Sequence, residues 1–461
     1  METYSADWVL PIEGAPIPDG AVVVEGGRIT AVGAAAELGA GERFEGAAIV
    51  PGFVNAHTHL EYAVYAGFGD GLPFAPWLQV HIERKQRLDF ADMLDIARLG
   101  AAECLRSGIT TVADYSYAGA AAVACAELGL RGIVYLEVFG REPREALEGW
   151  ERTRTRVEDS FGDALALGVS PHAPYSCSEA VFEACAGLGL PLGTHLSESP
   201  GENEWLVHGR GEMAPLARLF VEPRGETGVA TLDRIGLLGP DLLAAHCVQL
   251  DPDEVGLVGE RRVRVAHCPR SNALLGCGIA PVSDLRRAGA VVGIGTDSPA
   301  SAPSLDLFEE LRAAVYAARA RERRPDALTG AEALELATLG GARALGLGAE
   351  IGSLVPGKRA DLTVVSLDGS AWEPWEDPAT AVVLGGTPTR VLLTVIDGQV
   401  RYRRDEFEWH ALTAGARRAR SRLLRAPTAT RAPTSARRSS SSSGSAGGRS
   451  GSSSSSPSSS A

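Results

Sequence analysis

The chain has 461 residues, of which 45% are apolar, and its 58 acidic against 44 basic side chains give a formal net charge of −14 at pH 7. Such a chain can bury a large core, and its acidity argues against a nucleic-acid partner, because phosphates need a basic surface. No uncharged apolar run reaches the ~18 residues of a membrane span, and the N-terminus lacks a signal-peptide pattern. We therefore expect a cytoplasmic protein without membrane partners, whose seven scattered cysteines are reduced core thiols.

Both ends of the chain carry short β patterns. Residues 1–50 alternate apolar runs with turns, including a hairpin signal at Gly26-Gly27, and a similar pattern returns in residues 351–410. Two separated β segments that flank a long middle region predict one small β-sandwich built from both chain ends.

Residues 51–350 alternate apolar β runs with helical patterns rich in alanine and leucine. This alternation predicts an α/β fold, a TIM-type (β/α)8 barrel, whose active site lies at the C-terminal ends of the strands. The expected strands are residues 49–56, 108–113, 131–138, 167–170, 190–194, 242–245, 263–266 and 290–295.

The composition changes towards the C-terminus. Residues 411–461 contain nine arginines and no acidic residue, and they pass into a nearly pure Ser/Gly run. A segment of such low complexity cannot bury enough apolar surface to offset the entropy of ordering it. We therefore expect residues 411–461 to form a disordered tail.

The stretch PGFVNAHTHLEY places His57 and His59 at the end of the first barrel strand. Residues i and i+2 of a strand point to the same side, so both imidazoles can face one point. Polar residues also follow later strands, at the rim where a barrel places its active site. They are His172 after strand four, His195 after strand five, His246 after strand six, His267 after strand seven and Asp297 after strand eight.

Four of these side chains offer three nitrogens and one oxygen, a donor set that suits one Zn²⁺ ion, with Fe²⁺ as the alternative. The four are His57, His59, His195 and Asp297. Such a metal lowers the pKa of its bound water and provides a hydroxide nucleophile. Two-metal barrels of this kind commonly use a carboxylated lysine at a strand end. The only lysines, Lys85 and Lys358, lie outside the predicted strand ends, so we expect a single metal ion.

Three residues have positions suited to acid–base chemistry. Glu198 follows His195 by three residues in the stretch THLSES, where its carboxyl can protonate a substrate while Asp297 relays another proton. His246, in the stretch AAHCVQL, is expected to face the attacking hydroxide. We therefore predict Glu198, His246 and Asp297 as catalytic residues.

Five stretches carry a family resemblance: PGFVNAHTHLEY, THLSES, AAHCVQL, HCPRSNALLGCGIAPV and GIGTDSPAS. Together they resemble the amidohydrolase superfamily, and most of all its deaminase and chlorohydrolase branch. That branch includes S-adenosylhomocysteine, aminodeoxyfutalosine and guanine deaminases and triazine hydrolases. The similarity covers about residues 1–405. It implies metal ligands at His57, His59, His195 and Asp297, a catalytic Glu198, and His246 beside the water.

The same resemblance implies substrate contacts. Trp77, Glu83 and His172 match positions where S-adenosylhomocysteine deaminases hold the nucleoside. The chain departs from those enzymes at the end of strand three, where Glu137 stands in place of an arginine that helps to hold the ligand. A carboxylate there suits a neutral or cationic group, or a ribose hydroxyl, better than the carboxylate of homocysteine. Trp77, Glu83 and Glu137 each also have a purely structural alternative.

These residues predict a metal-dependent aminohydrolase that acts on C–N bonds of cyclic amidines. We expect it to remove ammonia from a purine-type ring in S-adenosylhomocysteine, methylthioadenosine, adenosine or aminodeoxyfutalosine. The alternatives are displacement of chloride or an amine from a triazine-like ring, guanine-type deamination, and a non-catalytic scaffold. The presence of every expected ligand disfavours the scaffold. The expected partner is a small-molecule substrate, and a homo-oligomer is compatible with the sequence.

Overall fold

The structure is a computed structural model that describes residues 1–369, 373 and 375–425. Most of the expected disordered tail, residues 426–461, lies outside the described residues. Residues Met1–Leu424 form one unit. None of the helices described is both long enough and apolar enough to cross a lipid bilayer.

The described strands fall into three groups along the chain. The first group is β1 (Glu2–Val9), β2 (Ile17–Glu25), β3 (Arg28–Ala34) and β4 (Glu42–Pro51). The second group is β5 (Phe53–Thr58), β6 (Ile109–Ser116), β7 (Arg131–Val138), β8 (Leu165–Pro171), β9 (Leu192–Leu196), β10 (Leu242–His246), β11 (Arg264–His267) and β12 (Val291–Ile294). The third group is β13 (Leu362–Ser366), β14 (Val391–Ile396) and β15 (Gln399–Arg403).

Helices connect these strands. In the first half of the chain they are α1 (Ala35–Leu38), α2 (Phe74–Lys85), α3 (Phe90–Arg106), α4 (Ala120–Leu128), α5 (Pro143–Val157), α6 (Glu179–Ala186), α7 (Pro200–His208) and α8 (Gly228–Arg234). In the second half they are α9 (Pro252–Glu260), α10 (Pro269–Leu274), α11 (Val282–Ala288), α12 (Leu307–Glu322), α13 (Gly330–Glu335), α14 (Gly341–Ala344), α15 (Pro378–Gly385) and α16 (His410–Leu423).

Strands β5 to β12 pair in parallel and in chain order, and helices alternate with them, which confirms the predicted (β/α)8 barrel. The last strand meets the first through contacts at their C-terminal ends. The N–H of Asp297 donates to the carbonyl of His57 (3.0 Å), and the side chains of Asn55 and Thr296 are hydrogen bonded (2.8 Å). Parallel strands present all their C-terminal ends at one rim, so residues that are distant in sequence meet there.

The second sheet has seven strands in the order β15-β14-β13-β4-β1-β2-β3. Strand β4 pairs in parallel with β1 and antiparallel with β13, so the two chain ends share one sheet. This confirms the predicted small β domain from both termini, while the boundaries at residues 50, 350 and 410 stay predictions. The β2–β3 turn has φ of 57° and 77° at Gly26 and Gly27, the positive values that a two-residue hairpin needs.

The apolar run 49–56, expected as one barrel strand, belongs instead to two sheets. Strand β4 ends at Pro51 and β5 begins at Phe53. Between them, the N–H of Gly52 donates to the carbonyl of Asp361 (2.9 Å), and a Cβ at Gly52 would lie 2.2 Å from the Thr110 side chain. Only glycine fits this close approach, and it marks the passage from one sheet to the other.

Helix α16 corrects the prediction of disorder for residues 411–423. The helix packs on α3 with a narrow apolar stripe between exposed arginines, and composition averaged over the whole tail hides that stripe. Its last turn also contacts α2, because Arg84 and Arg87 each donate to the carbonyl of Leu423 at 2.9 Å. The buried residues of the stripe are Gly415, Ala416, Ala419 and Leu423.

Candidate active site

The four residues expected to bind metal meet at the C-terminal rim of the barrel, and all are buried. His59 Nε2 lies 3.2 Å from His195 Nε2 and 3.5 Å from Asp297 Oδ1, and His57 Nε2 lies 3.6 Å from the same oxygen. Ligand atoms that bind Zn²⁺ at about 2.0–2.2 Å in a tetrahedron are about 3.3–3.5 Å apart. These four side chains could therefore hold one divalent metal ion.

Hydrogen bonds on the far side of two imidazoles orient them towards this point. His59 Nδ1 contacts the carbonyl of Tyr115 (2.6 Å), and His195 Nδ1 contacts the carbonyl of His172 (2.8 Å). Carbonyls only accept, so Nδ1 carries the hydrogen and the Nε2 lone pairs face the cluster. Burial lowers the pKa of His59 to about 3, which keeps it neutral. Both ring nitrogens of His57 are buried without a hydrogen-bond partner, an arrangement that fits a bound cation.

The Asp297 carboxylate is fixed by three hydrogen bonds. Its Oδ2 accepts from the hydroxyls of Ser271 (2.6 Å) and Ser301 (2.7 Å), and its Oδ1 accepts from the N–H of Ser298 (2.7 Å). Burial acts to raise the pKa of Asp297, but His57 and the neighbouring histidines hold it well below its usual value. The carboxylate is therefore ionised.

Left-handed backbone conformations are concentrated at the same rim. Ser197, His246, Cys247 and Asp297 have φ between 50° and 75°, although none is a glycine. Each such residue costs about 1–3 kcal/mol, and packing must hold it in place. Here the strained turns follow the strand ends and direct side chains into the barrel mouth.

Glu198 and His246 lie beside the cluster, with Glu198 Oε1 3.7 Å from His246 Nε2. Burial, together with the charge of Asp297, raises the pKa of Glu198 well above its usual value, so this carboxyl holds a proton. His246 Nδ1 is hydrogen bonded to Asn272 Oδ1 (2.9 Å), which turns Nε2 towards Glu198. The rim thus combines a candidate metal site with a proton donor.

Glu202 is a residue of this site that the sequence analysis missed. It is fully buried, and its carboxylate accepts from the N–H groups of Ser197 (3.0 Å) and Glu198 (2.8 Å). These bonds fix the turn that carries Glu198. The available signal was the spacing of Ser199 and Glu202, a serine N-cap with a carboxylate three residues into α7.

A cavity of about 300 Å³ opens above the cluster, within the size range of small-molecule sites. Its lining includes Glu198 and three of the four candidate ligands, His59, His195 and Asp297, and most of its other wall residues are aromatic or aliphatic. The apolar wall residues include Tyr62, Phe74, Trp77, Leu78, Ile82, Tyr117, Phe139, Tyr175, Leu219 and Phe220.

Three of the four residues expected to contact substrate line this cavity: Trp77, Glu137 and His172. The Trp77 ring lies on that of His81, with 4.3 Å between centroids. The Glu137 carboxylate lies within 4.8 Å of ring nitrogens of His172 and His195. Burial raises the pKa of Glu137 to about 8, partly opposed by the positive charge of Lys85. Contact of these residues with substrate stays a proposal.

Glu83 is the exception, because it does not line the cavity, and its contact with substrate stays a prediction. It is exposed on the outer face of α2, where it accepts a hydrogen bond from Gln79 (2.9 Å). At 100° per residue, a side chain at position 83 points away from those at 78, 82 and 85. The residues of this segment that line the cavity are Trp77, Leu78, His81, Ile82, Lys85 and Gln86. They recur every three to four residues, so the helical period counted from Trp77 would have predicted Lys85 rather than Glu83 on the cavity side.

Comparison with known proteins agrees with this fold. Residues 48–401, more than half of the chain, match the model of the Amidohydrolase family. The chain belongs to the amidohydrolase family. This amidohydrolase is 34% identical to a 5-methylthioadenosine/S-adenosylhomocysteine deaminase of Moorella thermoacetica, over 87% of this chain and 94% of that protein. It is 33% identical to a 5′-deoxyadenosine deaminase of Methanothermobacter thermautotrophicus, over 86% and 92% of the two chains.

Among solved structures, this amidohydrolase is similar to an adenosine deaminase from Xanthomonas campestris with bound zinc. The TM-score is 0.80 and the identity 32%, with 91% of this chain and 98% of that chain covered. The expected family and the expected hydrolase class are thereby confirmed. The individual ligands and catalytic residues stay proposals.

Proposed function

We propose that this amidohydrolase removes ammonia from the purine-type ring of an adenosine-like nucleoside. One Zn²⁺ ion, with Fe²⁺ as the alternative, is held by His57, His59, His195 and Asp297. The separations of 3.2–3.6 Å between their donor atoms support this ligand set. The names of relatives above 30% identity support the adenosine-like substrate class.

The observation that carries the proposal is the position of the buried Glu198 carboxyl beside this cluster, 3.7 Å from His246, where burial raises its pKa. Deamination of an aromatic ring needs an acid at the ring nitrogen next to the attacked carbon. A buried carboxyl with a raised pKa is such an acid at neutral pH. Displacement of chloride depends less on this proton, because chloride leaves as an anion.

When bound, the metal ion lowers the pKa of a coordinated water and supplies a hydroxide nucleophile near neutral pH. Glu198 donates its proton to the ring nitrogen beside the amino-bearing carbon. The Asp297 carboxylate takes the proton that the attacking water loses and passes it to the departing amine, which leaves as ammonia. The remaining proton of the new C–OH group goes to Glu198 as the C=O bond forms, and this restores the acid. His246, oriented by Asn272 (2.9 Å), faces the oxygen that forms the new C–O bond.

The cavity walls hold the nucleoside while these protons move. Trp77 offers a ring face for stacking on the base. His172 Nδ1 is hydrogen bonded to Ser176 Oγ (2.8 Å), whose own hydrogen goes to the carbonyl of Ala173 (3.1 Å). His172 Nδ1 is therefore the donor, and Nε2 is left to accept a hydrogen bond from the ligand. Glu137 accepts from ribose hydroxyls.

Ammonia release from a substrate panel tests the function. We expect the zinc-loaded enzyme to release ammonia from adenosine, methylthioadenosine or S-adenosylhomocysteine, and not from guanine or a chlorinated triazine. Turnover of the triazine alone would assign the displacement reaction instead. Metal analysis of the same preparation separates an enzyme from a non-catalytic scaffold, which would purify without stoichiometric metal.

The remaining expectations follow from composition and stay proposals. The acidic surface argues that no nucleic acid is bound. A cytoplasmic location and a homo-oligomer are compatible with the sequence, and neither enters the mechanism.

A further inference from the structure

Lys85 is a charged residue in the cavity that the mechanism does not use. It lies at the end of α2, whose inner face lines the cavity. Its ammonium lies over the ring of Tyr117, 3.7 Å from the centroid, and 5.3 Å from the centroid of Phe139. Within the described residues this ammonium has no hydrogen-bond acceptor and no carboxylate within 4 Å.

The other lysine of the chain, Lys358, is a buried lysine whose ammonium has hydrogen-bond acceptors. Lys358 donates to the carbonyls of Gly348 (2.7 Å) and Ile351 (3.1 Å) and to the Glu13 carboxylate (3.3 Å). Lys85 makes none of these contacts, and it is partly exposed to solvent. Its three N–H donors are free for a group that enters the cavity.

Lys85 and Glu137 both line the cavity, and they lie close enough for each charge to affect the pKa of the other group. The Glu137 carboxylate lies within 4.8 Å of ring nitrogens of His172 and His195, next to the candidate metal site. Lys85 instead lies between Tyr117 and Phe139, whose side chains are 39% and 37% exposed. The cation therefore lies against two partly exposed aromatic rings of the cavity wall.

We propose that Lys85 is a specificity-determining residue that binds an anionic group at the far end of the nucleoside's sugar substituent. The preferred substrates are then nucleosides whose substituent has an apolar body and ends in a carboxylate, rather than neutral nucleosides. This proposal rests on the proposed deaminase function.

A matched pair of compounds tests it: 5′-(2-carboxyethylthio)-5′-deoxyadenosine and its methyl ester, which differ only in the charge of the terminal group. We expect wild-type kcat/KM for the acid to exceed that for the ester by about 10- to 100-fold, the value of a charge-assisted hydrogen bond. In Lys85→Met this ratio should fall to within about threefold of one. Lys85→Arg should keep most of it, because it retains the charge.

Gln79→Ala is the matched control, because Gln79 is exposed on the same helix and does not line the cavity. Its acid-to-ester ratio should equal that of wild type. An unchanged ratio in Lys85→Met, with or without a lower Tm, would overturn the proposal. A lower Tm would then assign Lys85 a structural role on the rings of Tyr117 and Phe139.

Calorimetric binding of the same two compounds separates this proposal from the proposed function. If neither compound releases ammonia, the deaminase function fails. The ratio of the two Kd values still decides the role of Lys85, since binding does not require turnover. Equal Kd values in wild type would overturn the proposal, and a ratio of at least about tenfold that Lys85→Met abolishes would support it.

Discussion

His57 and Asp297 are joined twice. The N–H of Asp297 donates to the carbonyl of His57 (3.0 Å), and Asp297 Oδ1 lies 3.6 Å from His57 Nε2. The backbone contact brings the last strand end of the barrel to the first, and the side-chain contact forms part of the candidate metal cluster. Closure of the barrel and assembly of the site therefore depend on the same two residues.

We predict that His57→Ala, His195→Ala and Asp297→Ala each purify without stoichiometric metal and without activity. Each substitution removes one of four proposed donors from a buried site. Elemental analysis of the purified variants checks this. His267→Gln is the control, because His267 is also a buried histidine at a strand end but does not line the cavity. Full metal occupancy in any of the three alanine variants would mean that the ligand set is wrong.

Glu198→Gln should keep its metal and its fold but lose turnover. Glutamine matches the carboxyl in size but cannot deliver a proton, and general acid–base catalysis contributes about 10²–10⁴-fold. We therefore expect kcat to fall by at least that range while KM changes little. Turnover and metal content are measured on one preparation. A metal-replete variant within about threefold of the wild-type rate would remove Glu198 from the mechanism.

Helix α16 should contribute to stability through Leu423. Leu423 is fully buried and Leu424 is 60% exposed, so the neighbouring residues form a matched pair. Leu423→Ala should lower the free energy of unfolding by about 2–5 kcal/mol, whereas Leu424→Ala should change it by at most about 0.5 kcal/mol. Urea denaturation of both variants measures the difference. Equal effects would contradict the packing of α16 on the barrel.

His267 should make the protein less stable in acid. Burial lowers its pKa to about 3, compared with about 6.5 in an unfolded chain. Between these values the unfolded chain binds a proton that the folded protein does not. The contribution of neutral His267 to the free energy of unfolding is therefore fully present above pH ~6.5 and is lost as the pH falls below that value. Wild type should lose about 1.6 kcal/mol relative to His267→Gln between pH 6.5 and pH 5. Urea titrations of both proteins at the two pH values test this, and parallel pH profiles would contradict the assigned shift.

The barrel and its candidate ligands could be predicted because the physics that places them is local. Apolar runs of strand length mark each barrel strand. The first residues after these strands lie at one rim of the barrel, and this does not depend on the length or sequence of the connecting helices. His57, His195 and Asp297 therefore meet although they are 240 residues apart at the extremes. The close Gly52 contact with Thr110 depends on both sheets being in place, which is why the run 49–56 was predicted as one strand.

The surroundings of the site were decided by tertiary structure. Whether Glu83 or Lys85 faces the cavity depends on the rotation of α2 about its axis, and packing against neighbouring elements sets that rotation. The hydroxyl of Ser271, in helix α10, reaches Asp297 only in the folded barrel, whereas Ser301 lies four residues from Asp297 in the same segment. The types and order of the donor residues were thus determined by the sequence. Their hydrogen-bond partners, their pKa values and the charge at the cavity mouth arise from contacts between segments far apart in the chain, which a pattern along the sequence does not contain.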